Sequence, residues 1–221
     1  MNVKLLLMIP IFFFASTVIS QENECLEQKR FAFKVKNGFF YPQESVLKNI
    51  FARSGSKGGY WFEGAACWRL WNNLNLEASG SYFERSGRAL CGSECTKVKI
   101  PTFGLGVKYF FNGNKFSNCY RSFLGRISPF IGGGLRVFFY RECNQSQFMK
   151  TIEKTTVGGM LNAGIEIDLF RDLFVDLFVN YVGAKVKPTC NKVDSIECCP
   201  SCIYDLNIGG VIFGAAIGYK F

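Results

Sequence analysis

The chain has no histidine among its 221 residues. Without imidazole there is no Ser-His-Asp triad, no Cys-His pair and no HExxH zinc site, so much of hydrolytic chemistry is excluded at once. The chain also lacks any long apolar run after its first twenty residues, so no later segment qualifies as a transmembrane helix. No glycine cluster sits between a strand and a helix with a following Lys-Ser or Lys-Thr. The triplet Gly132 to Gly134 and the pair Gly209–Gly210 are therefore not phosphate loops; they suit bends or close packing within strands. No basic run interleaved with aromatics stands out, which argues against nucleic acid as a partner.

What is present begins with a leader. Lys4 is the only charge in the first twenty residues, an apolar run spans Leu5 to Phe14, and Val18 and Ser20 suit the −3 and −1 positions of a cleavage site before Gln21. The run is short for a membrane anchor and no basic stop-transfer cluster follows it. Residues 1–20 are thus expected to be a signal peptide and 21–221 a single folded unit. The first cysteine, Cys25, lies too far along for a lipoprotein. The net charge of +9 becomes +8 once Lys4 is removed, a basic surface suited to anionic lipid or polyanions if it is more than a solvated face.

The ten cysteines of an exported chain imply an oxidising compartment, so most are expected in disulfides. Phe, Tyr and Trp make up 16% of the chain, and there are 23 glycines, a composition that suits a membrane barrel better than a soluble enzyme.

Side-chain alternation of period two marks several segments. Leu74, Leu76, Ala78, Gly80 and Tyr82 share one face, against Asn75, Glu77, Ser79 and Ser81. Leu161, Ala163, Ile165, Ile167 and Leu169 oppose Asn162, Gly164, Glu166 and Asp168. Leu173, Val175, Leu177, Val179 and Tyr181 oppose Asp176 and Asn180, and Val211 through Phe221 repeats the pattern. Eight strands are expected near 31–41, 58–70, 74–86, 98–111, 127–141, 155–169, 173–187 and 207–221, each long enough for a tilted membrane strand. Short connections at 71–73 and 170–172 alternate with longer ones at 42–57, 87–97, 142–154 and 188–206, as short periplasmic turns alternate with long external loops. The stretch 112–126 is over-long for a periplasmic turn and contains Cys119.

The segments FKVKNGFFYPQ (33–43), FGLGVKYFF (103–111), SPFIGGGLRVFF (128–139) and GAAIGYKF (214–221) resemble the strands of the OmpA/OmpW-like family of small outer-membrane barrels. The resemblance implies an all-β fold, an eight-stranded antiparallel up-and-down transmembrane barrel, in the outer membrane of a Gram-negative-type bacterium. It implies outer-membrane lipid and lipopolysaccharide as surroundings. It also implies that Ile217, Tyr219 and Phe221 form the signal read by the barrel-assembly machinery. The density of cysteine is similar to that of chlamydia-type crosslinked envelopes, which would make disulfide-linked envelope proteins further partners. The family does not fix a function, because its barrels serve as structural proteins, adhesins, channels and lipid enzymes. The deacylase and omptin types of barrel enzyme need histidine and are excluded.

Alternation sends Glu63, Arg69, Glu77, Arg85, Lys108, Arg136, Glu166, Asp168, Asp176 and Lys220 into the barrel. An interior of eight strands is just wide enough for side chains to fill, so these are expected to form an ion-pair network that plugs the lumen. The alternative is a narrow path for small or hydrophobic solutes gated by Arg136 and Glu166. Seven cysteines fall on the external side: Cys91, Cys95, Cys143, Cys190, Cys198, Cys199 and Cys202. An odd number leaves at least one free or bound to another molecule. The C-x-x-C within CCPSC lacks the strand–helix context of a redox site, and compartment favours disulfides over a four-thiolate zinc site. Cys67 points inward, while Cys25 and Cys119 are periplasmic and either pair or remain free. A lipocalin-type soluble barrel would place its charges outside and its apolar face inside. No cofactor, metal or enzymatic activity is expected; the expectation is an envelope protein with disulfide-stapled loops, structural or surface-contacting.

Overall fold

The computed structural model describes residues 29–45, 47–48, 57–71, 73–88, 95–111, 126–144, 152–170, 172–187 and 206–221. The leader 1–20 and Cys25, Cys91, Cys119, Cys190, Cys198, Cys199 and Cys202 lie outside the described residues, as does most of the 112–126 connection.

Eight long strands close a barrel: β1 (Phe31–Pro42), β2 (Gly59–Trp71), β3 (Leu74–Arg88), β4 (Cys95–Phe110), β5 (Ile127–Asn144), β6 (Ile152–Asp168), β7 (Leu173–Gly183) and β10 (Gly210–Lys220). The pairs β8 (Lys185–Val186) and β9 (Leu206–Asn207) form a small separate hairpin ladder above β7 and β10. Neighbours in the barrel follow chain order and β1 pairs antiparallel with β10, with Phe33 opposite Tyr219 and Val35 opposite Ile217, so no free edge is left around the ring.

The short connections at 72–73 and 169–172, and the longer one between Phe110 and Ile127, lie at the same end as Phe31 and Phe221; this is called the near end, and the opposite end the far end. β4, β5 and β6 run further toward the far end than hydrophobic alternation suggests. Their tips, such as Lys97, Arg141 and Glu153, are charged, and cross-strand pairing holds them where apolar periodicity has stopped. Likewise β7 ends at Gly183, and the chain turns into β8, whose Lys185 carbonyl accepts a hydrogen bond from Thr156 Oγ1 at 2.8 Å.

The two faces of the wall differ sharply. Leu135 is 68% and Leu161 66% exposed on the outside, and Phe103, Leu105 and Val157 are similarly open. A continuous apolar surface of this kind suits hydrocarbon rather than water. Aromatic residues rim it at both ends: Phe33, Trp68, Tyr109 and Tyr219 near; Tyr41, Tyr60, Tyr82 and Tyr181 far. Beyond the far rim a row of cross-strand partners, Glu84, Lys99, Arg141 and Glu153, carries charge across β3 to β6. Arg141 and Glu153 pair at 2.8 Å, and Glu84 takes Lys97 at 2.5 Å. That row marks where the outer surface turns from apolar to charged.

Candidate functional site: the barrel interior

Inward positions mix long charged or aromatic side chains with glycine, and the narrow lumen is the reason. Gly104 is the register partner of Arg136, and a Cβ there would stand 2.7 Å from Arg136 Cγ. At Gly218 a Cβ would meet the Phe174 ring at 2.2 Å. Glycine on this face clears the space its neighbours fill.

The near half of the lumen holds the charges. Arg136, 2% exposed on β5, bonds Glu63 of β2 at 2.5 Å, and Glu63, fully buried, also takes Lys36 of β1. Lys36 reaches Glu77 of β3 at 2.6 Å. Glu77 also holds Lys34 at 2.7 Å and Lys108 of β4 at 3.0 Å, and Asp176 of β7 lies 3.1 Å from Lys34 and 3.9 Å from Lys108. A second group closes the near end, where Lys220 contacts Glu166 at 2.9 Å and Asp168 at 2.6 Å. Five cations (Lys34, Lys36, Lys108, Arg136, Lys220) thus meet five carboxylates (Glu63, Glu77, Glu166, Asp168, Asp176). Neutral balance and mutual bonding are what keep charges tolerable at this burial.

Aromatic faces line the same space. Lys108 sits 4.4 Å from the Phe130 ring centroid, Lys220 5.0 Å from Phe174 and Arg136 5.8 Å from Trp61, so the ring quadrupoles add to the cations' partners. Ser81 Oγ and Thr102 Oγ1 are 2.5 Å apart, and Ser81 accepts from Arg136 at 3.4 Å.

Of the residues singled out by alternation, Glu63, Glu77, Lys108, Arg136 and Asp176 meet in the first group, and Glu166, Asp168 and Lys220 in the second. Arg69 lies at the near end, its Nε 3.4 Å from the Trp71 carbonyl. Arg85 is half-buried toward the far end and belongs to neither group. Sequence reasoning missed Lys34 and Lys36. The run Phe31, Ala32, Phe33, Lys34, Val35, Lys36 carries the same alternation and assigns both lysines inward. Cys67 is buried and free, with its Sγ 3.6 Å from Glu77 Oε2.

The far half of the lumen is filled mainly by large apolar side chains, with Arg85 and Glu142 toward its outer edge. Phe40, Trp61, Phe83, Ile100, Phe138 and Ile212 belong to one buried cluster above the charges. Phe40 and Phe83 meet edge to face at 5.0 Å, as do Trp61 and Phe178 at 6.0 Å. The gap left among these side chains is about 20 Å³, room for roughly one water molecule. Cross-strand pairing between β4 and β5 lapses beside this cluster, between Lys99–Arg141 and Thr102–Phe138, where Pro101 has no N–H to give.

At the far tips of the same two strands, Cys143 is the register partner of Lys97, and Cys95 lies two residues from Lys97 along β4. Phe221 extends the β1–β10 seam at the near end on the outer face: its N–H donates to the Phe31 carbonyl at 2.8 Å, and its ring meets Phe33 at 5.8 Å and Tyr219 at 5.0 Å.

No protein-family model matches the sequence, and no curated protein matches it. Solved structures do. OprG of Pseudomonas aeruginosa superposes with a TM-score of 0.63 at 15% identity, over 88% of this chain and 97% of that one. Neisserial surface protein A gives 0.55 at 16% identity, over 86% and 97%. Ail of Yersinia pestis, in its complex with the heparin analogue sucrose octasulfate, gives 0.52 at 12% identity, over 88% and 100%. At these identities the likeness is one of fold: the chain has the fold of the OmpA/OmpW-like small eight-stranded outer-membrane β-barrels.

Proposed function

We propose that this chain is a non-enzymatic outer-membrane protein whose barrel is closed inside, and which serves the envelope by structure or surface contact. One observation carries the reading. A balanced ion network spans the near half of the lumen, and a packed apolar cluster fills the far half, leaving a gap of about 20 Å³. The apolar outer belt between aromatic rims supports membrane residence. Export by a cleaved leader, insertion by the barrel-assembly machinery and surroundings of lipid and lipopolysaccharide belong to the same proposal.

Disulfide-stapled external loops are proposed from the cysteine count of an exported chain. The backbone positions of Cys95 and Cys143, at the far tips of neighbouring strands, support that part of the reading. An odd external thiol would be the one to join an envelope partner.

The mainly apolar far half favours a second reading, in which the barrel accepts a small hydrophobic solute from outside through the wall beside Pro101. The first reading is tested by extraction and gel mobility. The protein is expected to leave the membrane only with detergent and to migrate differently before and after boiling. Release by salt or alkali alone, with no heat shift, contradicts it.

A further inference from the structure

The ladder between β6 and β7 ends where Gly159 stands opposite Gly183, and past Ala184 the chain continues as β8. The bend there leans on one glycine: a Cβ at Gly158 would stand 2.3 Å from the Gly183 carbonyl oxygen and 2.7 Å from the Ala184 Cβ. Gly159 and Gly183 have no such reason to be glycine. Both face outward, and a Cβ added at either would meet nothing within 4 Å. Glycine weakens a strand, and where the chain itself does not need it, it often marks a place that a ligand approaches closely.

Over this bare floor lies an open groove of about 560 Å³. Val157, 64% exposed, flanks it on β6, and Tyr181 flanks it on β7. The Tyr181 hydroxyl donates to Gln43 Oε1 at 3.0 Å, which holds the ring in place. The far end of the groove is polar. Lys185 is exposed there, two residues past Gly183, about 7 Å along the chain. No carboxylate pairs with it among the described residues. Its partner across the β8–β9 ladder, Asn207, lines the groove beside it, and Lys187, also exposed, follows two residues on. The cations of the charged row on β4 and β5 differ, since Lys97 and Arg141 already hold Glu84 and Glu153.

We propose that this groove binds one phosphorylated lipid of the outer leaflet, lipid A, with an acyl chain over Gly159 and Gly183 and a phosphate on Lys185. The inference rests on the membrane reading above, with the far end external. The occupant must be apolar beside Val157 and Tyr181 and anionic beside Lys185. A lipid has those two parts in that order, head outward, at the edge of the belt that Tyr181 marks. A flexible chain packs onto a floor that no side chain covers, and the ammonium group attracts phosphate at the membrane surface. A second copy of the chain, placed by a two-fold axis through the groove, would set Lys185 against Lys185, and like charges oppose that contact.

Native mass spectrometry of the mature protein in detergent micelles, titrated with diphosphoryl lipid A, tests the proposal. Wild type is expected to carry one lipid A per chain. Lys185→Ala, and Gly159→Leu, which fills the groove without changing its charge, are each expected to weaken binding at least tenfold. Lys57→Ala, which removes an equal charge from an exposed position outside the groove, is expected to leave binding unchanged. Lipid A stripped of phosphate is expected not to bind, and inorganic phosphate not to compete. With heat-shifted gel mobility intact, absence of bound lipid A overturns the proposal. Equal losses in Lys57→Ala and Lys185→Ala, binding unchanged by Gly159→Leu, binding of the phosphate-free lipid, or displacement by inorganic phosphate overturn it too. Loss of the heat shift in wild type overturns the membrane reading and this proposal with it.

Discussion

At the scale of single residues the interior turns on Glu77, which holds three ammonium groups, Lys34, Lys36 and Lys108, within 3.0 Å. Replacing it by Gln leaves cations buried without their shared carboxylate, so Glu77→Gln is expected to cost ~3–5 kcal/mol of barrel stability. Urea unfolding in lipid vesicles, followed by tryptophan fluorescence, measures this. A loss below ~1 kcal/mol, the size of an exposed pair, would show that the network is solvated. Most of this network was legible in the sequence, because strict alternation assigns a charged residue to a face wherever apolar residues flank it at one-residue intervals. Glu77, Glu166 and Asp176 stand in such runs. What could not be read was pairing. That Glu77 meets Lys34 across β1 and β2 depends on shear and strand tilt, which no single strand encodes. The sequence marks Gly132 to Gly134 and Gly209–Gly210 for bends or close packing; it does not mark Gly104 and Gly218, which clear room for Arg136 and Phe174, a role visible only once the opposite wall is known.

At the scale of the strand, β7 is the clearest case of two faces with two solvents. Leu177 is 46% exposed outside, while its neighbours Asp176 and Phe178 are buried in the lumen. Leu177 lies midway along β7, four residues from Leu173 at its near start and four from Tyr181, which lies at the far rim. Leu177→Arg is therefore expected to destabilise the barrel in lipid by ~2–4 kcal/mol, and Tyr181→Arg by only ~0–1 kcal/mol. Equal costs at the two positions, measured by the same unfolding assay, would contradict the register and the placement of the belt. The eight strands themselves were readable because a half-lipid, half-lumen strand repeats its signal over nine or more residues. Their far tips were not. At Lys97, Arg141 and Glu153 the outward face carries charge in place of apolar side chains, so hydrophobic periodicity fades while backbone pairing continues. The β8–β9 ladder, of two residues per strand, is too short to leave a periodic trace.

At the scale of the molecule, the lumen is divided. Alternation in the sequence marks its charges but not the apolar inward residues, such as Phe40, Trp61, Phe83 and Phe138, because an apolar side chain on the lumen face does not contrast with its lipid-facing neighbours. The structure stacks those residues over the ion network, so the interior has a charged near half and a mainly apolar far half. The central claim is that these two halves close the barrel to ions. Single-channel recording in planar bilayers tests it most directly. The account predicts insertion without stable conductance for wild type, and long-lived open steps only after large inward side chains are cut back, as in Arg136→Ala combined with Phe138→Ala. Steady, reproducible open steps from the wild-type protein would contradict it.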